Sequence, residues 1–271
     1  MAKPVSAIDQ SLPSAVTRGV RRRFARGVRG GLDLLFPPGC TVCSRDFGDD
    51  ASEQEHYLRI CQDCREQLVR STGRSCSKCG VTLPGVQESE THCPSCRDHR
   101  YRFCETVSIG LYSQELRETV LRIKHAAEHA LTVSLARLLA REAGARIAAW
   151  QIDAVAGVPM HRFRRWQRGA NHAEVIAEET ARQLRLRFAD GLLVRRRNTK
   201  PQADLAPSRR AANVRRAMRL SRSYSLTAAR ILLIDDIMTT GATCNEAARV
   251  LLDAGASEVY VAVLARADVP S

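Results

Sequence analysis

From residue 105 onward, short apolar runs alternate with longer segments whose apolar residues recur at helical spacing. That texture predicts strands joined by crossover helices, and hence a parallel α/β sheet flanked by helices. Strands are expected over residues 106–112, 152–158, 191–195, 230–235 and 258–264, and helices over 115–143, 171–187 and 242–254. The stretch 195–218 holds Pro201, Pro207 and many arginines and reads as a long loop. Near the N-terminus, Val16, Val20, Phe24, Val28 and Leu32 recur every four residues, with Arg18, Arg21, Arg22, Arg23, Arg26 and Arg29 between them. This is the pattern of a basic amphipathic helix, weakened by Gly19, Gly27, Gly30 and Gly31. Such an arm could dock on the protein itself, on nucleic acid or on an acidic membrane surface. Pro37-Pro38 marks the end of this region.

Between these parts lies a segment whose hydrophobic pattern matters less than its cysteines. Eight of ten form Cys-x-x-Cys pairs: Cys40/Cys43, Cys61/Cys64, Cys76/Cys79 and Cys93/Cys96. Two thiolates separated by two residues bind one tetrahedral ion from a tight turn, and a second pair completes the shell. Two structural zinc ions are expected, with consecutive pairs sharing an ion so that each ribbon folds locally; interleaved pairing would use the same residues. Gly80 supplies the permissive backbone after the Cys76/Cys79 turn. His56, His92 and His99 lie nearby, but the thiolates suffice. A disulfide framework would need an oxidising compartment, which nothing here indicates. The expected organisation is a basic arm over 1–33, a double zinc ribbon over 34–104 and an α/β domain over 105–271.

Composition sets limits on this picture. With 271 residues, 44% hydrophobic and 26% charged, the chain can bury one mid-sized core plus a smaller module. The longest strictly apolar run, residues 259–265, is far shorter than the ~20 residues a membrane-spanning helix needs. No apolar segment with a cleavage site opens the chain, so a cytoplasmic location is expected. Residues 162–222 hold 17 basic and 5 acidic side chains, a net +12, which concentrates polyanions and phosphorylated ligands. A solvated basic face is the plainer reading.

The most specific stretch runs from Ile231 to Thr243. A buried apolar strand ends in Asp235 and Asp236, and a turn formed by Met238, Thr239, Thr240, Gly241, Ala242 and Thr243 then opens a helix. Free amides and the dipole at a helix start favour an anion, and Gly241 allows close backbone approach. Adjacent carboxylates there can accept from vicinal hydroxyls or hold magnesium. This stretch resembles the ribose-5-phosphate loop of type I phosphoribosyltransferases, which bind phosphoribosyl pyrophosphate (PRPP). The resemblance implies that Asp235 and Asp236 contact the ribose hydroxyls and that the turn wraps the 5-phosphate. It also places a pyrophosphate loop at Pro159, Met160, His161 and Arg162 and matches Lys124 to a recurrent lysine. Lys124 as a solvated helix charge and His161 as a surface residue are the plainer readings.

Two further motifs narrow the resemblance. Arg195-x3-Thr199-x2-Gln202-x2-Leu205-x4-Arg210-x2-Asn213, with Arg168-Gly169-Ala170-Asn171, is similar to the ComF competence-protein family. That family joins a double zinc ribbon to a phosphoribosyltransferase-like domain, and the likeness covers residues from about Leu34 to the end. Ala170, His172 and Met218 depart from the residues most common there, which bears on aromatic stacking more than on phosphate binding. The resemblance implies a protein that binds PRPP with magnesium, with Gln202 and Arg210 facing the ligand, and that handles single-stranded DNA during natural transformation. Other DNA-uptake proteins are the further partners it suggests. Stacking side chains for single strands are limited to Tyr101, Phe103, Tyr112, Phe163 and Trp166. Arg195, Arg196 and Arg197 are the first DNA-binding candidates, because three adjacent guanidinium groups cannot all enter a core. An active phosphoribosyltransferase of unknown acceptor and a PRPP-sensing regulator remain as alternatives.

Overall fold

A computed structural model describes residues 3–4, 39–48, 51–69, 75–83, 92–94, 96, 101–124, 128–161 and 171–267. The basic arm with its arginines, Pro37-Pro38, His99, Arg162, Phe163, Trp166 and Arg168-Gly169-Ala170 lie outside the described residues.

Five strands form one parallel sheet: β1 (Thr106–Leu111), β2 (Ala154–Gly157), β3 (Arg187–Phe188), β6 (Arg230–Met238) and β7 (Glu258–Arg266). Their spatial order is β1-β7-β6-β2-β3. Two more strands, β4 (Leu193–Arg195) and β5 (Met218–Leu220), pair antiparallel as a separate ribbon. The two-residue segments Lys3–Pro4 and Tyr224–Ser225 also pair in parallel.

The central strands are apolar on both faces because helices and ribbons cover both. Side chains alternate across the sheet. Leu232, Ile234, Tyr260, Ala262 and Leu264 enter one core, and Ile231, Leu233, Val259, Val261 and Val263 enter the other. The first core is closed by α3 (Gln114–Arg122), α4 (His129–Ala149), α5 (His172–Leu184) and the first cysteine ribbon, which carries α1 (Glu53–Leu58) and α2 (Gln62–Leu68). The second is closed by α7 (Ala242–Asp253), the β4–β5 ribbon and the second cysteine cluster. The two cysteine ribbons therefore dock on opposite faces of one sheet. Among the described residues no helix is long and apolar enough to cross a membrane.

Four expectations need correction. The helix expected over 115–143 is two helices, α3 and α4, and α4 continues to Ala149. The chain leaves α3 at Ile123, whose side chain is fully buried, and this turn brings Lys124 to Asp236. The segment 191–195 does not join the main sheet. Instead Arg185, in a left-handed conformation at φ 56°, caps α5 and turns the chain so that Arg187 and Phe188 pair with Ala154 and Val155. The stretch read as a loop contains a short 3₁₀ turn at Gln202–Asp204 and α6 (Pro207–Val214), with Pro207 in the first turn where its missing N–H costs nothing. Finally, β6 does not end at the two acids, because Ile237 and Met238 still pair with Ala265 and Arg266 of β7.

A cluster of charges fixes the first ribbon to the helices beneath it. Arg137 of α4 donates from Nη1 to the Tyr57 carbonyl at 2.7 Å and from Nε to Glu179 of α5 at 2.8 Å. Arg182 and Gln183 also donate to Glu179. Burial alone would raise the Glu179 carboxyl, but these hydrogen bonds outweigh it and hold the group at about 2. A depressed folded value stabilises the protein above the unfolded value and loses that contribution as pH falls. Stability of the parent should therefore drop between roughly pH 4.5 and pH 2, and Glu179→Gln should remove this part of the acid dependence in denaturant titrations at several pH values.

Candidate functional site

Strand β6 delivers Asp235 and Asp236 to the carboxyl edge of the sheet, where ligands of open α/β folds bind. The Asp235 carboxylate accepts from the Asp236 amide at 3.0 Å, and Asp236 accepts from the Ile237 amide at 2.8 Å. Burial, then the adjacent Asp236 charge, push the Asp235 carboxyl well above the usual range. Cys244, on the first turn of α7, lies with Sγ 3.9 Å from Asp235 Oδ2, and burial with the two carboxylates pushes its thiol up as well. Lys124 places Nζ 3.7 Å from Asp236 Oδ2.

Beyond the acids the chain turns through Thr239 to Gly241 and enters α7. Gly241 has φ 71°, and an added Cβ would sit 3.0 Å from the Tyr101 ring. Buried Arg266 donates to the Met238 carbonyl at 3.1 Å and the Thr239 carbonyl at 2.6 Å, while Tyr101 donates to the Thr240 carbonyl at 3.0 Å. In a trans peptide the next N–H points opposite to the carbonyl. Pinning these three carbonyls therefore aims the amides of Thr239, Thr240 and Gly241 away from the groups that pin them. Successive amides directed this way, next to a helix start, form an anion cradle.

The β4–β5 ribbon and α6 close over this cradle. Arg210 donates from Nη1 to Thr239 Oγ1 at 2.7 Å and from Nε to the Leu205 carbonyl at 3.1 Å. The Gln202 amide nitrogen donates to Thr243 Oγ1 at 3.3 Å, and Asn213 donates back to Gln202 Oε1 at 3.0 Å. The acids, the turn from Met238 to Thr243, Lys124, Gln202 and Arg210 thus line one cavity of about 460 Å³. On the other side of the acids, a smaller lobe of about 170 Å³ is lined by Pro159, Met160, His172, Arg195 and the same two carboxylates. His161 is half-buried beside it without lining it. Arg195 lines this lobe with its charge set against Asp235, whereas Arg196 and Arg197 are exposed. The three arginines expected to act together therefore face different environments: alternation at the end of β4 sends Arg195 and Arg196 to opposite sides, and Arg197 lies beyond the strand.

The cysteines form two sets: Cys40, Cys43, Cys61 and Cys64, and Cys76, Cys79, Cys93 and Cys96, each with its sulfurs within 4.8 Å of one another. Consecutive pairs share a site, as local folding predicts. A tetrahedron with Zn–S near 2.3 Å has an edge of about 3.8 Å; the Cys76–Cys96, Cys43–Cys61 and Cys79–Cys93 separations are 3.8, 3.9 and 3.5 Å. No cysteine is in a disulfide among the described residues. The Cys61 and Cys93 amides donate to Cys40 and Cys76 sulfur, each at 3.3 Å. Ser44 and Gly80, each directly after the second cysteine of its turn, adopt φ 62° and 73° and donate to the first cysteine's carbonyl. These sets fit structural zinc, with all four ligands supplied by the chain.

Each turn is also gripped by an arginine from the α/β domain. Arg122 donates to the Thr41 and Val42 carbonyls in the first ribbon. Arg266 donates to the Cys79 carbonyl at 2.6 Å in the second, with the same guanidinium that holds the anion turn. Thr106 adds bonds to the Ser77 and Lys78 carbonyls. Tyr101 stacks on Phe103 with centroids 4.8 Å apart, and burial pushes its hydroxyl up to about 12, so it remains a donor. Sequence reasoning passed over Arg122 and Arg266. The signal for Arg266 was a single charge closing the apolar run 259–265.

Comparison with known proteins agrees with this arrangement. Residues 31–97 match the double zinc ribbon domain, and residues 170–270 match the phosphoribosyl transferase domain. The chain is 30% identical over 212 residues to Competence protein F of Haemophilus influenzae, covering 77% of this chain and 90% of that protein. It is 30% identical over 237 residues to DNA utilization protein YhgH of Salmonella typhimurium, covering 86% and 99%, and 25% identical to Competence protein ComFC of Bacillus subtilis, covering 83% and 92%.

The purified protein should carry two zinc ions per chain by metal analysis, and Cys79→Ser should retain one. Arg266→Met should lower stability by about 3–5 kcal/mol in denaturant titrations, because buried carbonyls lose a charged donor. Arg122→Met should cost about 1 kcal/mol or less, since Arg122 is 38% exposed and water can replace it.

Proposed function

Because the chain belongs to the ComF competence-protein family, we propose that it acts in DNA uptake by binding PRPP in the cleft beside Asp235 and Asp236 and handling single-stranded DNA. The observation that carries the ligand assignment is the convergence of an anion cradle, two adjacent carboxylates, Lys124 and Arg210 on one cavity of about 460 Å³. In this reading the 5-phosphate lies on the amides from Thr239 to Thr243, and Arg210 moves from Thr239 Oγ1 onto a phosphate oxygen. The carboxylates accept from the ribose hydroxyls. The smaller lobe, with Pro159, Met160 and Arg195, takes the pyrophosphate together with magnesium, and His161 lies beside that end. Lys124 and Gln202 complete the boundary. Both relatives with competence in their names and the net +12 of residues 162–222 support the DNA part.

One observation favours an active phosphoribosyltransferase as a second reading: Tyr112 lines the larger lobe, where an aromatic ring could stack on a planar acceptor. Release of pyrophosphate from PRPP in the presence of nucleobases or DNA would establish it; PRPP bound and recovered intact under every acceptor supports binding alone.

Isothermal titration with PRPP and magnesium tests the main reading. The parent should bind, and Asp235→Asn combined with Asp236→Asn should abolish binding. The same variant separates ligand loss from unfolding. A carboxyl whose folded value is raised costs stability as pH rises from its unfolded value through the folded one, so replacing Asp235 by Asn should leave the thermal midpoint at pH 7 unchanged or higher. Undiminished PRPP binding by this variant would overturn the site assignment.

A further inference from the structure

The β4–β5 ribbon has a second face, turned away from the cleft. There Arg196 and Arg197, leaving β4, lie beside Arg215 and Arg216, which follow α6. These four arginines and Ala212 line an open concavity of about 680 Å³, with no carboxylate in its lining. All four are exposed, and among the described residues none forms an ion pair within 4 Å. The nearby carboxylate of Glu246 is buried, pairs with Arg249 at 2.8 Å and accepts from the Arg216 amide at 2.7 Å.

The backbone holds this cluster in place. The Arg196 amide donates to the Ala217 carbonyl at 2.8 Å, and the Arg197 guanidinium donates to the Arg215 carbonyl. Arg216 adopts φ 55°, a left-handed conformation uncommon for a long side chain, and its amide bond to Glu246 secures it. Four like charges so arranged repel one another, and the nearby Glu246 carboxylate, which feels the Arg215 charge, is already paired with Arg249.

We propose that this four-arginine concavity is a phosphodiester-binding site for single-stranded nucleic acid. Guanidinium forks match phosphate oxygens in two-point contacts. The two adjacent pairs, one on each arm of the ribbon, suit successive phosphates along an extended backbone. An acidic protein segment would be expected to bring an apolar anchor, and the lining offers only Ala212. The absence of an aromatic ring from the lining makes the contact independent of base sequence. The inference rests on the nucleic-acid part of the preceding reading and gives it a place separate from the cleft.

The test is a titration of the zinc-loaded full chain with a labelled single-stranded oligonucleotide at several salt concentrations. Each phosphate neutralised on a single strand contributes about −0.7 to the slope of log affinity against log salt. Arg196→Gln with Arg215→Gln should make the slope shallower by about 1.4, with a thermal midpoint equal to or above the parent's. Arg65→Gln with Arg141→Gln removes the same charge elsewhere and should leave the slope at the parent's value. A slope unchanged in the first variant, or reduced equally in both, overturns the placement while leaving nucleic-acid binding intact. A parent that does not bind at low salt overturns the nucleic-acid reading itself. Polyglutamate that displaces the oligonucleotide as effectively as unlabelled oligonucleotide does would overturn nucleic acid as the ligand.

Discussion

The grip of arginine on the zinc turns is the constraint on which the rest of the arrangement depends. A tetrahedral shell of four thiolates around a divalent zinc carries a net charge of −2, and amides of its turns point toward sulfur. The carbonyls of those turns consequently face outward and need donors. Arg122 and Arg266 supply both the donors and the opposite charge. The two positions are not equivalent. Arg122 shares its charge with Glu128 at a partly exposed edge, whereas Arg266 is buried with its N–H groups committed to backbone oxygens. Burying a guanidinium is tolerable only when its donors are used this fully.

Because Arg266 also holds Met238 and Thr239, the second ribbon and the anion turn form one mechanical unit. The turn's amides have a fixed direction because the carbonyls on their far side are engaged by Arg266 and Tyr101. Tyr101 follows the second cluster closely in sequence and lies against Gly241, whose lack of a side chain leaves room for the ring. A zinc ribbon placed here does more than lengthen the core. It sets the orientation of dipoles that would otherwise need a ligand to align them, the kind of preorganisation that lowers the entropy cost of binding an anion.

The sequence pattern made the central parts legible where local chemistry and tertiary structure agree. The apolar runs of β6 and β7 are buried on both sides, so their identity as strands needs no knowledge of neighbours. The cysteine sets follow from spacing because a four-ligand shell closes over short distances. What escaped was decided by tertiary partners. Arg187 and Phe188 continue a helical pattern, yet pairing with Ala154 and Val155 makes them a strand. Residues 207–214 carry two arginines and two prolines close by, and they form a helix whose Arg210 is held by Thr239 and Leu205. The break before α4 is invisible as a period change because both helices have the same period; the burial of Ile123 and the approach of Lys124 to Asp236 mark it.

The basic character of the chain divides into separate physical roles. Net charge over a segment sums residues that never share a field. Within 162–222, Arg182 is committed to Glu179, Arg195 and Arg210 face the cleft, and Arg196, Arg197, Arg215 and Arg216 face outward. Outside that segment, Arg266 and Arg122 are structural donors to the zinc turns. The four outward arginines are exposed and have no carboxylate within 4 Å among the described residues, so their field extends into solvent. In the proposed reading the cleft arginines serve one small anion over hydrogen-bond distances, while the outward set serves a polymer. The alternation of side chains at Arg195 and Arg196 lets one short ribbon present an arginine to the cleft and another to the outer face, back to back.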